Sequence, residues 1–283
     1  MKNILRSGLC VAILIMGAMM VTFAGLRRPV KRFLERFSPT LVLPSKRTGT
    51  AILFLHHSTG HNVWSGGVAE WFRAYNARHG TSYEIVEQAF PKRTPYGWAN
   101  YPYDYWNIWV NHQGDKAFMR EPTLEMITAR YDVVVFKHCF PVGKLQEDVG
   151  MSDIASQEKR MENYRLQYDA LKKKMHEYPD KQFVVWTGPA LVRGATNEAE
   201  AIRARAFFDW VRTEWDESGD NIFLWDFYSL ETEGGLCLRD EYARGPNDSH
   251  LTPAFGRKVA PLFAQRVVDV IEGRGDHTSA SGE

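Results

Sequence analysis

The sequence predicts an α/β protein, a three-layer α/β/α sandwich around a five-stranded, mostly parallel sheet. Three observations predict it. Five short runs rich in β-branched and aromatic residues recur at 51–55, 83–88, 132–137, 182–187 and 221–225. Their near-continuous apolar character suits strands covered on both faces. Longer stretches with helical spacing alternate with these runs, and that alternation builds a layered sandwich.

Ahead of this pattern, between Arg6 and Arg27, stand twenty uncharged residues, SGLCVAILIMGAMMVTFAGL, preceded by Lys2 and Arg6. A basic start and an apolar run read as an export signal with Thr22-Phe23-Ala24 as its cleavage site; the same length just spans a bilayer. Arg27, Arg28, Lys31, Arg32 and Arg36 on the far side weigh against an anchor whose start stays in the cytoplasm. Residues 1–26 are thus expected to be a signal peptide or membrane anchor, 27–48 a basic linker, 49–273 the folded domain and 274–283 a disordered tail. The expected location is periplasmic, extracellular or membrane-anchored, with the membrane engaged only through this segment.

Within the domain the clearest helix follows Ser156, where Met161, Tyr164, Tyr168, Leu171, Met175 and Tyr178 keep spacings of three and four until Pro179. That stripe is core packing. A second helix runs from about Glu198 to Trp215. A third begins at Thr252-Pro253, an N-cap followed by an N1 proline, and continues through Phe255, Val259, Leu262, Phe263 and Ile271 to Gly273.

Composition excludes several classes of function. The 283 residues carry 35 Lys and Arg against 34 Asp and Glu, a formal charge of +1, with no block of five like charges. Binding to nucleic acid through phosphate contacts is therefore not expected. The three cysteines, Cys10, Cys139 and Cys237, are too scattered for a disulfide framework or a four-cysteine zinc site. A Cys139–Cys237 bridge is open to an oxidising compartment, beside the plainer reading of free thiols.

In open parallel sheets ligands bind outside the carboxyl ends of the strands. The loops there read HHSTGHN at 56–62, KHCFP at 137–141, TGPA at 187–190 and Asp226, while PNDSHLTP at 246–253 enters the last helix. A serine hydroxyl is barely ionised at neutral pH and needs a base to become a nucleophile; a histidine oriented by a carboxylate is the usual remedy. Ser58, just beyond the first strand, and His250, beside Asp248 and Asn247, fit those roles. His57 and His61, four apart, with His56, lack a further zinc ligand at helical spacing, so no metal is expected. A thiol enzyme built on Cys139 and His250 is disfavoured because a cysteine following a buried strand is commonly inert.

The strings LFLHHSTG, FKHCFP and DSHLTPAFGRKVA make the chain resemble the SGNH/GDSL hydrolase superfamily over residues 50–272, in particular a divergent bacterial SGNH/GDSL-like subgroup. The resemblance implies a flavodoxin-like sheet, Ser58 as nucleophile with its own N–H as one oxyanion donor, and His250 as general base. The family's Gly-Asp-Ser is His56-His57-Ser58 here, and its Asp three residues before the histidine is Asn247. Asp248 is preferred as orienter, because a carboxylate stabilises an imidazolium and an amide does not. The family's oxyanion Gly and Asn have no clean counterpart: Gly97 follows the second strand and Cys139 the third. Asn62, Lys137 and His138 are further donors.

Residues 96–109, YGWANYPYDYWNIW, hold seven Tyr or Trp in fourteen positions. Trp98, Tyr101, Tyr105 and Trp106 are candidates to stack on sugar rings; a lid packed on the sheet is the equal alternative. The expected function is that of a serine esterase removing acyl groups from an extracellular or cell-envelope carbohydrate, with no cofactor and a small-molecule or glycan ester as partner. Glycan O-acyl transfer by the same residues and non-catalytic carbohydrate binding are the alternatives.

Overall fold

The computed structural model describes residues 40–44, 48–92, 94–97 and 99–283. Segment 1–26 and most of the linker lie outside the described residues, as do Arg93 and Trp98. Leu41–Glu283 forms one unit, divided from Met1–Thr40. No helix among the described residues is long and apolar enough to cross a membrane.

Five strands, β1 Thr50–His56, β2 Tyr83–Ala89, β3 Val133–Lys137, β4 Gln182–Trp186 and β5 Ile222–Trp225, form one sheet in the order β2-β1-β3-β4-β5, every pair parallel. The sheet is thus all-parallel, where mostly parallel was expected. Eight α-helices stand among the described residues: α1 Thr59–Trp64, α2 Val68–His79, α3 Pro102–Trp106, α4 Leu124–Thr128, α5 Met161–His176, α6 Glu198–Trp210, α7 Phe227–Thr232 and α8 Pro253–Ile271. Central β3 is buried at every position, whereas β2, at the edge, is only partly covered. Continuous apolar runs in the middle strands follow from helices covering both faces.

Alternation along the strands sorts the helices by face. Phe54 of β1 pairs in register with Val135 and packs on Phe263 of α8, with ring centroids 4.8 Å apart. Phe136 points the opposite way and meets Tyr105 of α3 at 5.0 Å. Helix α8 packs with α1 and α2, and α3 with α5. The Tyr164, Tyr168, Leu171 and Met175 stripe of α5 is buried as its spacing predicts. At the start of α8 the Thr252 hydroxyl accepts Phe255 N–H at 3.3 Å, the expected cap.

Three expectations are corrected. The segment before α8 is not a plain loop: β6 Ala243–Gly245 and β7 Asp248–Leu251 form an antiparallel hairpin. Residues 274–283 are not a disordered tail. Asp226 N–H donates to Ala280 O at 2.8 Å, the Trp225 indole to Ser281 O at 2.9 Å, and the buried Arg266 guanidinium to Gly275 O at 2.6 Å. Ordering of the tail follows from donors on β5 and α8 that would otherwise be buried without partners. Cys139 and Cys237 are free thiols, so the optional bridge does not form.

Candidate active site

Strand β1 ends at His56 and α1 begins at Thr59, leaving two residues to turn the chain. Ser58 makes the turn at φ 51° and ψ −107°, a conformation that costs a residue with a Cβ about 1–3 kcal/mol. His57 O accepts Gly60 N–H at 3.0 Å and Ser58 O accepts Asn62 N–H at 3.2 Å, so the turn runs directly into the helix. Glycine at 60 is dictated by close approach: a Cβ there would lie 2.5 Å from the Cβ of His56. The Ser58 hydroxyl is buried and has no hydrogen-bond partner among the described residues.

Residues two apart on a strand share a face, and β7 uses this to join Asp248 to His250. His250 Nδ1 stands 2.5 Å from Asp248 Oδ1, which also accepts the backbone N–H of His250 at 3.0 Å. The backbone N–H and then the ring hold the Asp248 carboxyl below its ordinary range. An ionised carboxylate only accepts, so Nδ1 carries the proton and Nε2 is left as a base. Phe140 sets its ring edge-on to the imidazole at 5.1 Å. Asn247, at the exposed hairpin turn, packs over Gly194 and makes no bond to His250.

Helix α1 and strand β7 bring the two halves together. Asn62 Oδ1 accepts Leu251 N–H at 3.2 Å, linking the residue after His250 to the first turn after Ser58. A Cβ on Gly256 would fall 2.6 Å from Asn62 O, so α1 and α8 touch backbone to backbone. Asn62 acts as a strut through its oxygen and keeps its amide N–H groups to donate. No hydrogen bond joins Ser58 to His250 in this structure; such links are often loose before substrate binds.

The other predicted residues divide between the two faces. Lys137 is on the α8 face, fully buried, with Nζ donating to His57 O at 3.3 Å. Burial pushes its ammonium down. His138 points to the opposite face, wholly buried beside Tyr105 and Tyr168. Burial, then the Lys137 charge, pushes it down to about 3, so the ring is neutral core. Alternation thus separates two neighbours that the sequence placed in one site. The backbone N–H of Cys139 donates to Asn100 O at 2.7 Å, which removes it as a free oxyanion donor.

In the aromatic insert Tyr101, Tyr105 and Trp106 are buried, and the Tyr105 hydroxyl donates to Lys137 O at 3.0 Å. Tyr105 packs on Phe136 of β3, Tyr101 meets Tyr164 of α5 at 6.2 Å, and Trp106 meets Tyr103 at 5.6 Å. Gly97 is half-buried, with its N–H on Lys92 O at 3.2 Å. Tyr96 and Tyr103 remain half-exposed.

Glu87 of β2 escaped sequence reasoning. One of its oxygens meets His56 Nε2 at 2.8 Å and His61 Nδ1 at 3.3 Å. Burial pushes Glu87 up, but the two histidines outweigh it and the carboxyl sits below its ordinary value. His61 Nε2 is 3.3 Å from Ser65 Oγ, completing a second Ser-His-acid row on the exposed side of α1. The backbone N–H groups of residues 65, 66 and 67 are all engaged within the turn, so Ser65 has no oxyanion donors of its own. His57 instead turns its Nε2 to Pro91 O.

A cavity of about 490 Å³ lined by Arg193, Asn197, Cys237 and Arg239 takes in neither Ser58 nor His250.

No established family profile matches the sequence, and no curated protein matches it. Among solved structures the chain is similar to one described as a gut microbial diltiazem-metabolizing enzyme, with a TM-score of 0.44 and 10% identity over 84% of this chain and 49% of that one. The chain therefore spans about half the length of that enzyme, and a likeness at this level carries no argument about activity.

Proposed function

We propose that the chain is a serine hydrolase of SGNH/GDSL type acting on esters, with Ser58 as nucleophile, His250 as general base and Asp248 as orienter. The observation that carries this is the backbone of Ser58, a non-glycine residue held at positive φ between the end of β1 and the start of α1. Such strain persists where the surroundings impose it and gathers at catalytic turns. The Asp248–His250 pair, strutted to the same helix by Asn62, supplies the base.

In the first step His250 Nε2 takes the Ser58 proton as Oγ attacks the ester carbonyl. The oxyanion is held by the Ser58 N–H and by the Asn62 amide. His250 returns the proton to the leaving alcohol as its C–O bond breaks, leaving an acyl-serine. Water, deprotonated by His250, attacks the acyl group, and Ser58 regains its proton as the acid departs. Asp248 keeps the imidazole in the required tautomer and stabilises its cation. Burial of Tyr101, Tyr105 and Trp106 narrows the support for a sugar-bearing substrate to the half-exposed Tyr96 and Tyr103 and the apolar N-terminal segment. On those grounds the preferred substrate is an acylated carbohydrate met after export.

The test uses the purified full chain with a fluorophosphonate probe and p-nitrophenyl acetate, beside Ser58→Ala and His250→Ala. Labelling of wild type that vanishes in Ser58→Ala is expected. A wild type that stays unlabelled and turns over no faster than the two variants sinks the proposal.

A further inference from the structure

We propose that Lys137 is a positioning residue for the nucleophile: its ammonium clamps the carbonyl of His57 and thereby fixes the peptide that carries the Ser58 N–H. This rests on the assignment of Ser58 above.

An ammonium at the end of the most buried strand is an expensive choice. Lys137 follows four buried apolar residues of β3, pairs in register with Trp186 and has no exposed surface. A charge so placed is retained only where it has partners. Four groups lie around it, Glu231 of α7, His56 of β1, the nearby Cys139 and the Trp186 ring, whose centroid lies 5.9 Å from Nζ, while the adjoining His138 feels its charge from the opposite face. None of them takes a hydrogen bond from Nζ among the described residues. Glu231 turns one oxygen to Ala190 N–H at 2.5 Å. The acceptor that Nζ does find is His57 O, at 3.3 Å.

That carbonyl already receives Gly60 N–H at 3.0 Å, so two donors from two elements converge on one oxygen. The peptide unit is planar, and its C=O and N–H point in opposite directions. Fixing the oxygen of His57 therefore fixes the direction of the Ser58 N–H, the donor that faces the developing oxyanion. A cation on the carbonyl also polarises the unit and makes that N–H the stronger donor. The strained φ of Ser58 needs such over-determination to persist. Neither neighbour can substitute, because His138 points to the opposite face and the Cys139 N–H is held by Asn100.

The test measures fluorophosphonate labelling and ester turnover of the full chain for wild type, Ser58→Ala, Lys137→Met and Lys137→Ala, with folding followed by circular dichroism. Lys137→Met, unbranched and similar in length, is expected to fold. Its acylation rate and kcat should fall about 100-fold, the order of one lost oxyanion donor, with KM within about twofold. Propylamine, an ammonium on a three-carbon stem, should restore labelling of Lys137→Ala at least about tenfold, which a loss of packing alone would not permit. A folded Lys137→Met labelled at the wild-type rate, a loss confined to KM, or a folded Lys137→Ala deaf to propylamine each overturns the proposal and leaves Ser58 as nucleophile intact. Should neither variant fold, Lys137→Arg decides, because its guanidinium can still reach the His57 carbonyl: a folded Lys137→Arg as inert as Ser58→Ala overturns the proposal. A wild type that resists the probe removes the serine assignment and this inference with it.

Discussion

Asn62 accepts the backbone N–H of Leu251 through its side-chain oxygen, and this one bond ties the helix that begins after Ser58 to the strand that carries His250. Asn62→Ala removes the acceptor and leaves the Leu251 N–H unpaired. We expect a stability loss of about 1 kcal/mol and a larger fall in kcat than in folding would explain, while Asn62→Asp keeps the acceptor and the stability but, having no amide donor for the oxyanion, loses kcat as well. Parallel urea melts and steady-state kinetics check this; an Asn62→Ala enzyme of full activity would contradict the strut.

Asp248 orients His250 through both its ring and its backbone N–H. Asp248→Asn keeps the shape but offers an amide where a carboxylate is required, so kcat should fall about 10²- to 10⁴-fold with KM little changed. Asn247→Ala, at the exposed turn, should leave kcat near wild type. Steady-state kinetics of the two variants side by side provide the measurement.

Ser58 exchanges stability for its geometry. Ser58→Gly removes a Cβ penalty of about 1–2 kcal/mol at positive φ and adds about 0.5–1 kcal/mol of chain entropy. The variant should be dead to the probe yet melt a few degrees higher, whereas Ser58→Ala should be dead without the gain. Equal melting temperatures for the two would argue against strain at this turn.

Glu121 is fully buried, with one oxygen accepting Lys92 N–H at 2.6 Å and the other without a hydrogen-bond partner among the described residues. Burial pushes its carboxyl up from 4.5 to about 7. The folded chain therefore keeps this proton while the unfolded chain releases it, and stability is lost as pH rises from about 4.5 through about 7. Glu121→Gln retains the acceptor and removes the ionisation. It should match wild type at acid pH and exceed it at alkaline pH by on the order of 2 kcal/mol. Denaturant melts across the two ranges test the sign; a variant less stable at high pH refutes it.

Deletion of 275–283 takes away Gly275 O from Arg266, Ala280 O from Asp226 N–H and Ser281 O from the Trp225 indole. With buried donors left open, the cost should be on the order of 3 kcal/mol, read as a lower melting temperature. An unchanged melt would restore the view of this segment as frayed.

The strands were legible in the sequence because five isolated runs of Val, Ile, Phe and Trp have no other economical use, and α5 because its stripe keeps one period for four turns. The Asp248–His250 pair was legible as chemistry but not as a strand: β6 and β7 hold three and four residues, too few for a period to show. The aromatic insert misled because Tyr and Trp serve cores and sugars alike. What decided Tyr105 was a partner for its hydroxyl at Lys137 O, a contact 32 residues away. Glu87 was hidden for the same reason, its histidines lying on the neighbouring strand and on α1. The final residues, rich in Ser and Gly, have the composition of a loose end, and only Arg266 beneath them shows why they stay.

β5 is the last strand of its sheet, and a terminal strand offers an open ladder on which another chain can template itself. From Gly219, whose N–H meets Asp276 at 3.0 Å, to Asp226, whose N–H meets Ala280 O, the final segment accompanies that margin. Residues 276–281 thus lie against both ends of that strand, and a chain cut within them would bare more of this border before it lost its fold.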